Sequence, residues 1–289
     1  MSDALLEIDI PGWVERARKD PVTYRARQAT EVVLNAIALA DPLNQKLFLK
    51  GGVLMGLAYD SPRQTTDVDL TTSLAPGKAA ADEVRAMLDH AFPRIVARLG
   101  YAGLHLQVHS VKLEPRKHFD GAAFPAIRLK VGYAQAGTPQ HAALIEKRSA
   151  VTVDVDISFN EPLAEIQVLT MSDGAELHAY SLIDLIAEKF RAMLQQVTRK
   201  RNRRQDIFDL DYLITGQTIS DAQRRSLLEA FLTKSRARHL APDRDSLDDP
   251  EVRRRSSAEW QTLELELGEL PDFDGCYERV RHFYRDLPW

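Results

Sequence analysis

Apolar positions along the chain follow two different periods, and the change between them divides it. Short alternating runs, which are typical of β-strands, come first, at residues 104–114, 126–133 and 151–159. After Tyr180 the apolar residues return every three or four positions, as they do on amphipathic helices. We therefore predict an α+β fold, with a mixed sheet flanked by helices in residues 1–175 and a helical C-terminal domain in residues 176–289.

Local patterns add elements to this outline. Helical spacing predicts helices over residues 21–40 and 78–99, and residues 47–49 are a short apolar strand that leads into a Gly-Gly pair. Residues 241–250, which are bracketed by prolines, predict a linker. His105 and His109 have the spacing of a metal site on a helix, but their segment alternates as a strand, so we interpret them as surface or packing residues.

A pair of acids follows the Gly-Gly pair in the segment KGGVLMGLAYDSPRQTTDVDL, residues 50–70. On a strand, Asp67 and Asp69 point to the same face, where two carboxylates repel each other unless a cation lies between them. Hard oxygen ligands at this spacing suit Mg²⁺ (or Mn²⁺). Gly51 and Gly52 have no Cβ, so backbone N–H groups can approach a triphosphate closely. The layout is typical of the metal site of a nucleotidyltransferase.

Two blocks of sequence resemble one family. The first is residues 50–70, with its K-G-G, Y-x-x-x-R and T-x-D-x-D elements. The second is residues 181–213, with an A-E-K-x-x-A helix followed by R-x-x-D-x-x-D-L. Together they resemble the AbiEii/AbiGii family of nucleotidyltransferase toxins over about residues 30–215, in the family's order. The resemblance implies a polymerase-beta-like nucleotidyltransferase fold with a motif core at about residues 45–160, and the toxin component of a type IV toxin–antitoxin or phage-defence system.

The resemblance also assigns metal ligands. Asp67 and Asp69 would bind the metal, and a third carboxylate would come from the strand VTVDVDISF, residues 151–159. Asp156 is the better match, because family members carry a D-I-S-like element on this strand. Asp154 stays open as an alternative, and so does a solvated sheet face that merely carries two acids.

Roles in nucleotide binding and catalysis follow in the same way. Lys189 would neutralise the triphosphate, although a lysine beside an apolar stripe commonly extends to water. Asp206, or Asp209 close behind it, would complete the site by positioning the lysine or activating the acceptor hydroxyl. Alternatively, Asp206 begins a helix, where the dipole favours a carboxylate.

The loop before the metal acids adds two candidates to the nucleotide-binding set, which already holds Gly51, Gly52 and Lys189. Arg63 contacts phosphate or pairs with Asp60. Thr65 lies two positions before Asp67, where the family tends to carry a hydroxyl, and its phosphorylation would place negative charge beside the triphosphate pocket and inhibit the enzyme.

Charge and composition bear on the acceptor. The net charge of −4 argues against non-specific nucleic-acid binding, but five basic residues lie within six positions between Arg199 and Arg204. With the family resemblance, this cluster indicates an RNA acceptor, for which we expect tRNA, and a cognate antitoxin as a protein partner. Two alternatives stay open: a nucleotidyltransferase acting on a small molecule or a protein, and a catalytically silent nucleotide-binding or interaction protein.

The remaining composition is ordinary. Of the 289 residues, 44% are hydrophobic and 28% charged, no apolar run approaches the ~18 residues of a membrane span, and the N-terminus does not resemble a secretory signal. The single cysteine, Cys276, excludes an intrachain disulfide and a cysteine-based zinc site. We expect a cytoplasmic protein without membrane contact.

Overall fold

The alternating segments of the sequence form one mixed sheet. The computed structural model describes residues 6–148 and 151–289, so the first five residues of the N-terminal segment considered as a secretory signal lie outside it. In the described part of the chain the sheet has eight strands, in the spatial order β1-β7-β8-β2-β3-β6-β5-β4. The strands are β1 (Leu6–Ile8), β2 (Leu47–Lys50), β3 (Val68–Thr72), β4 (Leu104–Glu114), β5 (Ala126–Gln135), β6 (Thr152–Phe159), β7 (Ile166–Met171) and β8 (Glu176–Tyr180).

Helices account for most of the remaining chain. Five precede residue 150: α1 (Ile10–Glu15), α2 (Pro21–Ala38), α3 (Gly51–Ala58), α4 (Lys78–Arg98) and α5 (Pro139–Ile145). Six follow the sheet: α6 (Leu182–Arg199), α7 (Arg204–Gly216), α8 (Asp221–Ala237), α9 (Pro250–Ser257), α10 (Glu264–Leu267) and α11 (Phe273–Arg285). These counts refer to the residues that the structure describes. The predicted α+β fold class, with its mixed sheet and helical C-terminal part, is confirmed.

The chain divides into two compact units. The sheet unit contains the residues up to Ala58, Thr65–Glu161 and Gln167–Ala179. The helical unit contains Tyr59–Gln64, Pro162–Ile166 and Tyr180–Trp289.

The centre of the sheet unit is built from strands whose two faces differ. Along β6, Val153, Val155 and Ile157 are buried, and the acids between them, Asp154 and Asp156, lie on the opposite face. This is the alternation expected when one face of a sheet covers the core and the other carries polar side chains. The predicted strand is therefore confirmed, and it presents its two acids on the polar face.

The helical unit has an aromatic core. Phe190 of α6 contacts Phe231 of α8 and Tyr284 of α11, with ring centroids 6.0 and 5.2 Å apart. Cys276 is buried and free. Burial raises the pKa of its thiol to about 12, so it is a packing residue rather than a reactive one.

The predicted linker at 241–250 is wrong. The segment lies wholly within the helical unit, and Leu247 in its middle is buried. Two of its carbonyl groups, those of Asp243 and Leu247, accept hydrogen bonds from the hydroxyls of Tyr284 and Tyr277. At the end of the segment Asp249 caps α9 and Pro250 begins it, so this part of the predicted linker is the start of a helix.

Candidate active site

The junction of β2 and α3 places a backbone turn against a carboxylate. Strand β2 ends at Lys50, and α3 begins at the next residue, Gly51, whose φ of +74° lies in the left-handed region. A Cβ on Gly51 would lie 2.1 Å from Oδ2 of Asp69. Only glycine therefore lets the Asp69 carboxylate rest against the start of this helix, which explains the first glycine of the pair.

The proposed metal acids lie on two adjacent strands of the sheet unit. Asp67 immediately precedes β3, Asp69 is within β3, and Asp156 lies directly opposite Asp69 on the parallel strand β6. Side chains of directly opposed residues share a face, and all three acids line one cavity of about 350 Å³. The structure therefore brings the three predicted metal ligands together, with Asp154 in the same cavity.

Charge repulsion is visible in the pKa of one of these acids. Burial raises the pKa of Asp156, the Arg128 guanidinium opposes this, and the carboxylates of Asp154 and Glu114 raise it further. A divalent cation would relieve this repulsion.

The donor set can be tested against the metal. Within the described residues, no three histidine, cysteine or acidic side chains are grouped closely enough to hold a metal ion by themselves. That is compatible with Mg²⁺, which is usually bound by one or two carboxylates and completes its shell with water and substrate phosphates. Asp67 and Asp69 carry two hard oxygen donors of this kind in the cavity, and Asp156 lies beside them.

Cations that sequence reasoning missed lie beside these acids. Nζ of Lys130 is 2.8 Å from Asp154, and the guanidinium of Arg128 is 3.0 Å from Glu114 and 3.7 Å from Asp156. The signal was present as the alternation of β5, in which Arg128 and Lys130 occupy successive positions on one face. Nothing local in the sequence indicates that this face is the one that carries the acids.

The helical unit contains the second set of predicted residues. Nζ of Lys189 on α6 donates a hydrogen bond to Oδ2 of Asp209 at 2.5 Å and lies 3.4 Å from Asp206, both on α7. Asp209 is completely buried, and Lys189 is 6% exposed. The lysine therefore does not extend to water, and the structure assembles Lys189, Asp206 and Asp209 as a buried charged cluster.

Asp209 is more deeply buried in this cluster than Asp206, the residue that the sequence favoured. Burial opposes ionisation of Asp209, but Lys189 and Arg63 together hold its pKa below the ordinary value. Asp206 lies in the first turn of α7 and is also 3.6 Å from Arg203. The helix-start position weighed for Asp206 is therefore observed, alongside its contact with Lys189.

Arg63 has a partner that the sequence could not identify. Its Nε and Nη2 donate to the two carboxylate oxygens of Asp209 at 3.1 and 3.2 Å, and Nη1 lies 3.4 Å from Glu266. The pairing considered with Asp60 is not the one formed, because Arg63 points to α7 and α10. Thr65 is half-buried in the loop that leads to Asp67. The nucleotide-binding roles of Arg63 and Thr65 stay predictions.

The basic run proposed for the acceptor surrounds the end of α6. Burial and the neighbouring charges of Arg238 and Arg191 lower the pKa of Arg199. In the described part of the chain, Arg199, Lys200 and Arg201 make no ion pair, whereas Arg203 and Arg204 contact acids. The run thus concentrates positive charge that the nearby acids only partly offset.

A mixed sheet that carries paired carboxylates on adjacent strands, next to a helix starting with Gly-Gly, defines this protein as a nucleotidyltransferase. The family model described as the nucleotidyl transferase AbiEii toxin of type IV toxin–antitoxin systems matches residues 32–279, and the chain belongs to this family. The resemblance noted in the sequence is thereby confirmed. Family membership implies a cognate antitoxin as its partner.

A solved structure supports the fold. The nucleotidyltransferase toxin MenT4 from Mycobacterium tuberculosis H37Rv superposes with a TM-score of 0.58, covering 96% of this chain and 90% of its own, at 18% sequence identity. Comparison with curated protein sequences gives no match. Among the described residues, no helix combines the length and apolar composition needed to cross a membrane.

Proposed function

We propose that this nucleotidyltransferase toxin uses Mg²⁺ (or Mn²⁺) to transfer a nucleotide from an NTP to an RNA acceptor, with tRNA as the expected acceptor. The observation that carries the proposal is the placement of Asp69 directly opposite Asp156 on adjacent strands, in the cavity that also contains Asp67. Arg128 offsets only part of the charge of these three acids, and a divalent metal ion, which nucleotidyl transfer requires, would offset more of it.

In the proposed reaction the acceptor hydroxyl oxygen attacks the α-phosphorus of the NTP and loses its proton to a base. The bond between the α-phosphorus and the bridging oxygen breaks, and pyrophosphate leaves. A bound Mg²⁺ would stabilise the charge on the attacking and leaving oxygens. Asp67 and Asp69 would hold the metal with Asp156 as the third acid, and the backbone at Gly51 and Gly52 would hold the triphosphate.

The roles of the buried cluster follow from the family resemblance. Lys189 supplies a compact positive charge that suits phosphate, and Asp209, which is itself held by Arg63, fixes its position. Asp206 and Asp209 would position this lysine or accept the proton of the acceptor hydroxyl. The cytoplasm, where NTP and tRNA are both present, is the compartment that the sequence predicts.

The acceptor class is tested by incubating the protein with each of the four α-labelled NTPs, Mg²⁺ and a mixture of total RNA and protein. Label that is removed by ribonuclease but not by protease supports the RNA proposal, and its position on a gel shows whether tRNA is the acceptor. Label that is removed only by protease would contradict it and favour a protein acceptor.

A further inference from the structure

A single row of charged residues runs across the sheet unit through the metal acids. In register, Lys50 on β2 faces Asp69 on β3, Asp69 faces Asp156 on β6, Asp156 faces Arg128 on β5, and Arg128 faces Lys112 on β4. Residues in register on neighbouring strands point to the same face. The row therefore has its two acids in the middle and positive charge on both sides.

The two positive sides differ in what surrounds them. On the β2 side, Lys50 is followed directly by Gly51 and Gly52, where the backbone can approach a triphosphate. On the β4–β5 side the cations are long side chains on two antiparallel strands. A second row adds one more pair of opposite charges there, because Asp154 faces Lys130, and Lys130 in turn faces the uncharged Ser110.

We propose that Lys112, Arg128 and Lys130 bind the backbone phosphates of the acceptor RNA near the hydroxyl that is modified. This inference rests on the proposed function and adds the acceptor side of the same cavity. The nucleotide would occupy the side of the acids that carries Gly51 and Gly52, so the attacking hydroxyl must approach from the other side, which is where β5 and β4 lie.

The charges of the cavity favour this assignment over a purely structural one. Arg128 and Lys130 contact acids, but Lys112 is exposed and, in the part of the chain that the structure describes, makes no ion pair. Once a divalent cation neutralises Asp67 and Asp69, the three remaining acids of the cavity, Asp154, Asp156 and Glu114, are balanced by Lys112, Arg128 and Lys130. Among the described residues Lys112 is the member of this set that no acid holds, so its exposed charge can contact a phosphate.

The spacing of these cations suits a chain of phosphates rather than one isolated anion. Neighbouring strands are about 5 Å apart, and alternate residues along a strand are about 7 Å apart. Lys112 and Lys130 therefore present separate charges on either side of Arg128, one across the strands and one along β5. A single-stranded RNA end could contact several of them at once.

The test uses the full-length protein and deacylated bulk tRNA, with binding measured at several salt concentrations in Mg²⁺ without NTP. Each phosphate contact that a lysine makes to a single strand contributes about 0.7 to the slope of log affinity against log salt. The double variant Lys112→Gln/Lys130→Gln should therefore flatten the slope by about 1.4 and weaken binding at low salt. The matched control, Lys19→Gln/Lys78→Gln, removes two exposed charges elsewhere on the sheet unit and should leave the slope unchanged.

Single variants protect the test from a folding defect. Lys112→Gln removes no ion pair of the described residues, so it should fold normally. It should flatten the slope by about 0.7, which is half of the effect of the double variant, and Lys112→Arg should keep the wild-type slope. An unchanged slope in a folded double variant would overturn the inference. So would weakened binding of labelled NTP with tRNA binding intact, because the row would then serve the nucleotide.

A parallel transfer assay on the wild-type protein separates this inference from the proposed function. If the wild-type protein labels RNA while the double variant binds tRNA with an unchanged slope, only the acceptor-side assignment fails. If the wild-type protein transfers nucleotide but neither binds nor labels RNA, both the RNA acceptor and this assignment fail.

Discussion

At the scale of single residues, the site depends on the absence of a Cβ atom at Gly51. The Asp69 carboxylate occupies the space that a side chain at Gly51 would fill, and Gly51 has a backbone conformation that other residues adopt only with strain. The glycine that sequence reasoning assigned to triphosphate binding thus makes room for a proposed metal ligand.

Gly51→Ala should therefore abolish nucleotidyl transfer and destabilise the fold. A non-glycine residue in the left-handed conformation costs about 1–2 kcal/mol of stability, and the clash of its Cβ with Asp69 adds to this cost. Urea denaturation and a transfer assay measure the two effects. Gly77→Ala is the control, because a Cβ there meets nothing within 4 Å and its φ of 175° is extended. Equal effects of the two substitutions would contradict this explanation.

The buried cluster of the helical unit permits a second prediction about a single residue. Asp209→Asn removes the negative charge that pairs with both Lys189 and Arg63, and leaves two buried cations facing a neutral amide. The free energy of unfolding should fall by about 3–5 kcal/mol, as when one partner of a buried pair is lost.

Asp221→Asn is the matched control for that variant, since Asp221 is exposed in the first turn of α8 and should change stability by less than about 1 kcal/mol. The two variants are compared by their urea denaturation midpoints. An Asp209→Asn variant as stable as the control would show that the cluster does not hold α6 and α7 together.

At the scale of elements, local patterns were sufficient for the central strands and the long helices. They did not indicate the short elements β1, β7, β8, α1 and α5, and they did not give the strand pairing. The alternation of residues 151–159 and the helical spacing after Tyr180 depend on neighbours in sequence, so both could be predicted. Strand register depends on distant residues. The row that joins Asp156 to Arg128 and Lys112 could not be inferred without the sheet.

The same reason explains why the partner of Arg63 was not foreseen and why the predicted linker is wrong. Arg63 and Asp209 are 146 positions apart, and no local pattern connects them. The segment 241–250 has the composition of a linker, but Leu247 is buried, and its carbonyl accepts a hydrogen bond from Tyr277 of α11, which comes later in the chain. Composition describes a segment in isolation, whereas burial depends on what packs against it.

At the scale of the whole molecule, charge is distributed unevenly. The chain has a net charge of −4, yet it contains the basic run at the end of α6, the cations of β4 and β5, and buried ion pairs within the helical unit. The most deeply buried of these pairs joins Asp184 and Lys234, whose side chains are 0% and 1% exposed and 3.1 Å apart.

This pair should make stability depend on pH. Burial raises the pKa of Asp184 from 3.8 to about 6, against the effect of Lys234. The folded state then holds a proton that the unfolded state has released, so between about pH 4 and 6 stability attributable to Asp184 falls as pH rises, by up to about 3 kcal/mol.

Denaturation of the wild-type protein and of Asp184→Asn at pH 4.5 and 7 measures this contribution. The variant keeps a neutral side chain at both pH values, so its stability should rise from pH 4.5 to 7 relative to that of the wild-type protein. A parallel pH dependence in the two proteins would show that Asp184 does not take up a proton on folding.

Nucleotidyl transfer that depends on Asp67 and Asp69 is tested most directly by comparing α-labelled with γ-labelled NTP. Incubation with Mg²⁺, RNA and either α-labelled or γ-labelled NTP should give labelled RNA with the α-label alone, because pyrophosphate carries away the γ-phosphate. Asp69→Asn should abolish this labelling while the protein remains folded. Incorporation of the γ-label, or equal incorporation of the α-label by Asp69→Asn, would contradict the account.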